Sequence, residues 1–163
     1  MIISKLYNKI RCIWIQKNYH NGDITILAPN CVGGVLYHWL GLKFNSPTIN
    51  LWMYPKDFYK FVINLDYYLS QDIIELASNR DYPVGRIGNG SSEITLYFQH
   101  YKSFEQAKSK WYERRKRIIK DKIYVIATDR DGITADDIRL LSTANVHKIV
   151  VFTAKEEYLN YSS

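Results

Sequence analysis

Residues 122–153 read KIYVIATDRDGITADDIRLLSTANVHKIVVFT, and this stretch decides the fold class. Two short apolar runs, 122–128 and 146–153, flank a polar turn and a helical period from Thr134 to Leu141. Short apolar runs that alternate with helices are typical of buried strands in an α/β sheet. A connection through one short helix favours a parallel pair of strands with a right-handed crossover. The stretch therefore predicts a β-α-β unit.

The rest of the chain shows the same alternation. The other predicted strands are 24–30, 47–54 and a hairpin of 84–87 with 94–99, and the predicted helices are 32–41, 55–70 and 104–120. A chain of 163 residues is long enough to build one hydrophobic core. We therefore expect an α/β fold with a single domain over 21–163, built on a mostly parallel, Rossmann-like sheet with one β-hairpin. From residue 94 onward the order β, α, β, α, β favours parallel neighbours.

Residues 1–20 predict a separate, basic amphipathic helix. Apolar residues recur at helical spacing, and the segment contains no acid and four cations, namely Lys5, Lys9, Arg11 and Lys17. The apolar stripe can dock on the domain, or it can lie on an anionic membrane surface with the cations toward the headgroups. The sequence leaves both interpretations open. No apolar run reaches the roughly 18 residues of a membrane span.

The formal net charge of +6 is concentrated in one segment. Residues 102–122 hold nine Lys or Arg against three acids, which favours a phosphate-bearing partner such as a diphosphate-linked glycan or an anionic lipid. No nucleic-acid-binding motif accompanies this cluster, and this argues against nucleic acid. Two cysteines exclude a disulfide-rich scaffold, so the expected setting is cytoplasmic.

Two carboxylates, Asp129 and Asp131, follow the strand over 122–128. If the strand stays extended through Arg130, both carboxylates face one side and suit a hard cation such as Mg²⁺ or Mn²⁺. The alternative is structural, with a turn at Asp131 and Gly132 followed by a helix cap. No cofactor is certain on these grounds.

A second candidate centre follows the strand over 24–30. Two glycines, Gly33 and Gly34, stand at a helix start, where free backbone amides attract an anion, although close packing of the helix explains them equally well. Cys31 at the same position is a candidate nucleophile with His100, which closes a later strand, as its base. The alternative for Cys31 is a buried, inert thiol.

Much of the chain resembles a bacterial family of exopolysaccharide biosynthesis proteins, defined by a domain of unknown function. The resemblance lies in NCVGGVLYHWLGLKFNSP, in YPVGRIGNGSSEITLYFQHYKSFEQAKSKWYERRKRI and in TDRDG followed by KIVVFTAKE. The matching positions are Asn30, Cys31, Gly33, Gly34, Tyr37, Ser46, Pro47, His100, Tyr101, Lys102, Trp111, Arg114 and Asp129 to Gly132. The resemblance implies an α/β fold and an association with capsule genes, and chains of the family often run further at the C-terminus.

Three functions follow as expectations. The leading one is an enzyme at the cytoplasmic face of the membrane that transfers a sugar or other group from a nucleotide-sugar or lipid-linked donor to a polysaccharide. In this scheme His100 is the base, Asp129 and Asp131 hold a cation or sugar hydroxyls, and the remaining residues bind substrate or phosphate: Asn30, Gly33, Gly34, Ser46, Lys102, Arg114 and Arg130. The second is a non-catalytic glycan-binding or assembly protein. The third is a Cys31-dependent acyltransferase.

Overall fold

The computed structural model describes residues 2–20, 22–156 and 158, with side chains from residue 10 onward. Within these residues the chain forms six helices and six strands. The helices are α1 (Ile2–Asn18), α2 (Val32–Leu40), α3 (Pro55–Ile63), α4 (Leu65–Ser70), α5 (Phe104–Arg115) and α6 (Ala135–Ser142). The strands are β1 (Thr25–Leu27), β2 (Ile74–Leu76), β3 (Val84–Ile87), β4 (Ile94–Tyr97), β5 (Ile123–Thr128) and β6 (Lys148–Phe152). The single-domain α/β class is confirmed.

The predicted β-α-β unit is present as β5, α6 and β6. The two strands are parallel neighbours, and β1 joins them on the other side of β5, so that the sheet order is β1-β5-β6. Helix α6 begins where the sequence places it because Thr134 and Asp137 form a reciprocal capping box. Parallel strands end at the same edge of a sheet, so the residues that follow β1 and β5 lie at one edge.

The remaining strands form a separate antiparallel sheet with the order β2-β3-β4. The hairpin of β3 and β4 is confirmed, with Val84 opposite Tyr97 and Ile87 opposite Ile94. The expectation that β4 lies parallel to β5 is wrong, because β4 pairs with β3 instead. Strand β2 escapes prediction because it is three residues long and mostly exposed, and it lacks the alternating burial that a sequence pattern can reveal.

Three other boundaries differ from the prediction. The strand expected over 47–54 is reduced to one bridge between Trp52 and Tyr97, since Asn50 adopts a left-handed backbone conformation with φ 65°. The helix expected over 55–70 is divided at Asn64, where ψ is 40°. The helix expected over 104–120 ends at Arg115 and is followed by a turn. The breaks at Asn50 and Asn64 follow single-residue backbone conformations that apolar periodicity does not report.

The central strand β5 is covered on both faces. Its odd-numbered residues from Ile123 to Ala127 pack into the main core beside α3 and α6. The even-numbered Tyr124 and Ile126 pack against a smaller cluster around Tyr37 of α2. This alternation places α2 on one side of the parallel sheet and α3 on the other.

The free edge of β1 is closed by side-chain hydroxyls. The Tyr37 hydroxyl accepts a hydrogen bond from the Ile26 amide at 2.8 Å and donates to the Ile24 carbonyl at 3.2 Å. The Ala28 amide donates to the Thr48 hydroxyl at 3.3 Å. Burial raises the pKa of Tyr37 to about 12, so the hydroxyl keeps its proton. An edge strand whose polar groups are satisfied in this way is protected from pairing with another chain.

Helix α1 lies against α2 and occupies most of the predicted segment 1–20. The cations Lys5 and Lys9, which the sequence places on this helix, lie outside the described side chains. Within residues 2–20, 22–156 and 158, no helix combines the length and hydrophobicity that a bilayer crossing requires.

Replacement of Tyr37 by phenylalanine tests the closure of the β1 edge. We expect Tyr37→Phe to lower the free energy of unfolding by about 1–3 kcal/mol, because a buried amide and a buried carbonyl lose their partner. Urea unfolding followed by circular dichroism measures this change. Tyr124→Phe is the matched control, since none of the hydrogen bonds in the described part of the chain uses its hydroxyl. Equal stability of the two variants would contradict the role of Tyr37.

Candidate functional site

The structure brings Cys31 and His100 together. The Cys31 Sγ lies 3.0 Å from the His100 Nε2, although the two residues are 69 positions apart in the sequence. The thiol is half-buried and the imidazole is exposed, so the pair is accessible from solvent. This contact is the arrangement of a nucleophile and its base that the sequence proposed as one of three alternatives.

Cys31 is positioned by the end of β1 and the start of α2. The Pro29 carbonyl accepts a hydrogen bond from the Met53 amide at 2.9 Å, which holds the chain just before the cysteine. The Asn30 Oδ1 then accepts from the Val32 amide at 3.0 Å and caps the new helix. The Cys31 carbonyl accepts the first helical bond, from Val35. The thiol is therefore attached to rigid backbone on both sides.

The two glycines after Cys31 serve packing and leave backbone donors free. A Cβ on Gly33 would lie 3.3 Å from the Ala28 Cβ, so an added side chain would require the packing of α2 on β1 to shift by a few tenths of an ångström. The structural interpretation of Gly33 is therefore supported. In the described part of the chain, the amides of Gly33 and Gly34 meet no acceptor. Two N–H donors thus stand within the first turn of the helix that starts at Cys31.

His100 lies in the turn between β4 and α5, and its neighbour Tyr101 anchors that turn. The Tyr101 amide donates to the Phe98 carbonyl at 3.0 Å, and the Tyr101 hydroxyl donates to the Ile49 carbonyl at 3.0 Å. The guanidinium of Arg114, a buried residue of α5, donates to the same hydroxyl at 2.8 Å and to the same carbonyl at 3.2 Å. Arg114 therefore stabilises the turn that carries His100. It does not form part of a solvent-exposed surface.

Asp129 follows β5 and is held by the segment after β6. Its Oδ2 accepts hydrogen bonds from the Thr153 hydroxyl at 2.7 Å and from the Ala154 amide at 3.2 Å, which join the ends of β5 and β6. Burial, with a smaller contribution from the negative charge of Asp129, raises the pKa of the nearby Tyr59. No hydrogen bond in the described part of the chain connects Asp129 to Cys31 or His100. The Asp129 carboxylate therefore stabilises the contact between the ends of β5 and β6.

The geometry does not support the predicted pairing of Asp129 with Asp131. Strand β5 ends at Thr128, and Asp131 has a left-handed backbone with φ 55°, so the extended conformation assumed for the pair is absent. Asp131 and Gly132 form the turn that the alternative interpretation expected. Among residues 2–20, 22–156 and 158, no group of three or more His, Cys, Asp or Glu side chains is placed to hold a metal ion.

Three other predicted binding residues have local hydrogen-bond partners. Ser46 is fully buried and shares a hydrogen bond of 3.0 Å with Thr48. Lys102 is exposed, and its amide donates to Gln106 at the start of α5. Arg130 is exposed, and its carbonyl accepts from Ile133. Their assignment to substrate binding stays a prediction.

A cluster of accessible aromatic rings lies near the pair and was missed by sequence reasoning. We call Trp52, Tyr54 and Tyr97 the aromatic platform; their ring centres are 4.4, 4.9 and 5.8 Å apart. Burial alternates along residues 51–54, since Leu51 and Met53 are buried while Trp52 and Tyr54 turn outward. This alternation within LWMY was the signal available in the sequence.

Backbone hydrogen bonds and short chain segments connect the aromatic platform to Cys31 and to His100. Trp52 and Tyr97 exchange two backbone hydrogen bonds of 2.8 and 2.9 Å. His100 follows Tyr97 by three residues, and Cys31 follows Pro29, the partner of Met53, by two. Backbone segments of this length span at most about 11 Å. The backbone that carries the rings is therefore joined by short segments to the backbone that carries Cys31 and His100.

Thiol labelling tests the contact between Cys31 and His100. An imidazole at 3.0 Å is placed to accept the thiol proton as the sulfur attacks, so iodoacetamide should modify Cys31 roughly tenfold faster than Cys12. Mass spectrometry of the two cysteine peptides over time measures both rates in one sample. His100→Gln should remove the difference. An unchanged rate at Cys31 in that variant would contradict an activating contact.

Comparison with known proteins places the chain in a family. Residues 2–163 match the family described as Domain of unknown function (DUF1919). A Haemophilus influenzae protein called "Uncharacterized protein" is 36% identical over 141 residues, which are 86% of this chain. The match covers 66% of that protein, just under two thirds of its length. Neither name mentions a reaction or a polysaccharide. Because the match extends over nearly the whole chain, the protein belongs to the DUF1919 family.

Proposed function

We propose that the protein is a thiol-dependent acyltransferase in which Cys31 is the nucleophile and His100 is the general base. The observation that carries this proposal is the 3.0 Å contact between the thiol and the imidazole at a helix start. Among the three functions expected from the sequence, this one uses side chains that meet in the described structure. Sugar transfer from a phosphate-bearing donor stays a prediction, since Ser46 and Arg114 are engaged with protein groups.

In the first step, the His100 Nε2 takes the proton of the Cys31 thiol as the sulfur attacks the carbonyl carbon of an activated acyl donor. A carbon–sulfur bond forms and a tetrahedral intermediate with a negatively charged oxygen results. Collapse of this intermediate breaks the bond to the leaving group, which receives the proton from His100. The product is a thioester on Cys31.

In the second step, an acceptor hydroxyl attacks the thioester carbon. His100 takes the proton of that hydroxyl as the oxygen–carbon bond forms, and it returns the proton to the sulfur when the carbon–sulfur bond breaks. The acyl group is then esterified to the acceptor, and the free thiol is restored. No electrons are exchanged with an outside oxidant or reductant.

The start of α2 supplies the electrostatic part of this scheme. The free amides of Gly33 and Gly34, together with the positive end of the helix dipole, favour negative charge that develops near Cys31. A single lost donor in such an arrangement typically costs a factor of roughly 10² or more in rate.

The acceptor that we propose is a sugar hydroxyl of a surface polysaccharide or of its precursor. The aromatic platform supports this choice, and the sequence resemblance to exopolysaccharide biosynthesis proteins suggested it. Aromatic rings present a flat apolar face, and the carbon–hydrogen face of a pyranose is complementary to it. The acyl donor is defined here by its chemical class, an activated ester or thioester.

Acyl-enzyme formation tests the proposal directly. With p-nitrophenyl acetate as the probe, we expect an acetyl group on the Cys31 peptide within the first turnover, detected by mass spectrometry alongside a burst of nitrophenolate. His100→Ala should slow the burst by roughly 10²-fold, the usual contribution of a general base. Cys31→Ala should abolish it.

Cys12→Ser is the matched control, because Cys12 is the other free cysteine and lies in α1. It should leave the burst unchanged. Circular dichroism must show that every variant is folded. Acetylation of Cys31 at the same rate with and without His100 would overturn the proposal.

A second candidate function is glycan binding without catalysis, and the aromatic platform favours it. Tyr54 is 46% exposed, and Trp52 and Tyr97 are half-buried, so the rings form an accessible surface rather than core. The guanidinium of Arg80 lies 5.2 Å from the Tyr97 ring centre and donates to the Tyr82 hydroxyl at 2.9 Å. Rings with polar groups at their rim suit a sugar, which has apolar faces and hydroxyl edges.

Affinity electrophoresis separates the two functions. Wild-type protein should be retarded in gels that contain dextran or alginate, and Trp52→Ala should weaken the retardation roughly tenfold because a stacking surface is lost. Cys31→Ala should migrate as wild type, since binding does not need the thiol. Phe152→Ala, a change at an exposed ring on β6, is the control. Equal retardation of Trp52→Ala and wild type would exclude the platform as a glycan site.

A further inference from the structure

Helix α1 exposes an apolar stripe to solvent. The residues are Ile10, Ile13 and Trp14, whose exposed fractions are 58%, 55% and 65%. They are spaced i, i+3 and i+4 and therefore share one side of the helix. Amphipathic helices of globular proteins normally turn such a stripe toward the core. In α1 the apolar stripe faces solvent instead.

The contacts with α2 come from another side of α1. Cys12 and Ile15 are half-buried, and the Gln16 side chain donates to the His38 carbonyl of α2 at 3.3 Å. The Arg11 guanidinium stacks over the Trp39 ring at 4.4 Å from its centre. These interactions hold the helix in a defined orientation, with the stripe pointing away from the domain.

The charge of the segment indicates what covers the stripe. Residues 1–20 contain four cations and no acid. The described ones are Arg11, whose guanidinium faces Trp39 of α2, and Lys17, which follows Ile13 by four positions and stands at the end of the stripe. A long cationic side chain at the border of an apolar stripe can place its charge among phosphate headgroups while its methylene groups stay in the apolar layer. An anionic lipid surface is complementary to both the apolar stripe and the positive charge of the segment.

We propose that α1 binds the surface of an anionic membrane, with Ile10, Ile13 and Trp14 inserted at the boundary of headgroups and acyl chains. The helix lies in the plane of the membrane, because it has 17 residues and four cations, and the described helices include none that can cross a bilayer. A second copy of the chain fits less well, since pairing two such stripes would bring two sets of cations together. This inference is independent of the acyltransferase proposal.

Vesicle co-sedimentation of the full chain tests the membrane proposal. We expect binding to vesicles of phosphatidylglycerol and phosphatidylcholine in equal parts, and much weaker binding to phosphatidylcholine alone. The double variant Ile13→Ser, Trp14→Ser should lower the partition coefficient by roughly tenfold or more, because apolar area no longer enters the lipid. Lys17→Gln should lower it roughly fivefold, as expected for one cation near an anionic surface.

Phe152→Ser is the matched control, because it removes an apolar side chain that is 64% exposed on β6. It should bind vesicles as wild type does. All three stripe residues are exposed, so the variants should keep the wild-type thermal unfolding curve. The proposal is overturned if the double variant binds as tightly as wild type or if neither vesicle is bound. It is also overturned if sedimentation velocity shows a dimer that the double variant converts to monomer.

Discussion

The buried guanidinium of Arg114 is the constraint on which the candidate site depends. It is 8% exposed and forms no ion pair within the described residues, so its desolvation must be offset by other groups. The Tyr101 hydroxyl and the Ile49 carbonyl provide hydrogen bonds, and the Phe44 ring lies 5.4 Å from its carbon centre. Since the Tyr101 hydroxyl also donates to Ile49, the three groups form a closed hydrogen-bonded triangle. This triangle joins α5, the histidine turn and the loop after α2.

The loop after α2, which Arg114 stabilises, also packs against the helix turn that positions the Cys31 thiol. The Ile49 side chain lies 3.8 Å from the positions that a Cβ would take on Gly33 and on Gly34. The first turn of α2 therefore rests on the loop that Arg114 holds, and Cys31 begins that turn. His100 is attached to the other side of the triangle through Tyr101. The short distance between sulfur and imidazole is thus set by buried packing, which is the property that preorganised sites require.

Features determined by neighbouring residues could be predicted from the sequence, and features determined by distant contacts could not. The capping box at Thr134 and the N-cap at Ser103 are local, and the helices that they start are found close to the predicted positions. Cys31 and His100 were both placed at strand ends by local patterns, which made their pairing an explicit hypothesis. By contrast, Arg114 resembles its basic neighbours in the sequence. Its burial depends on Ile49 and Tyr101, which periodicity cannot connect to it.

The TDRDG turn shows why a motif must be interpreted together with its backbone. Two carboxylates one residue apart face one side only if the chain between them is extended. Here the strand ends at Thr128, and Asp131 has a left-handed backbone, so the extended conformation that the pair requires is absent. Asp129 then accepts from an amide and a hydroxyl of the segment after β6, which is the behaviour of a carboxylate that ties two strand ends together. Asp129 therefore stabilises the edge of the sheet beside β1, the strand that leads into Cys31.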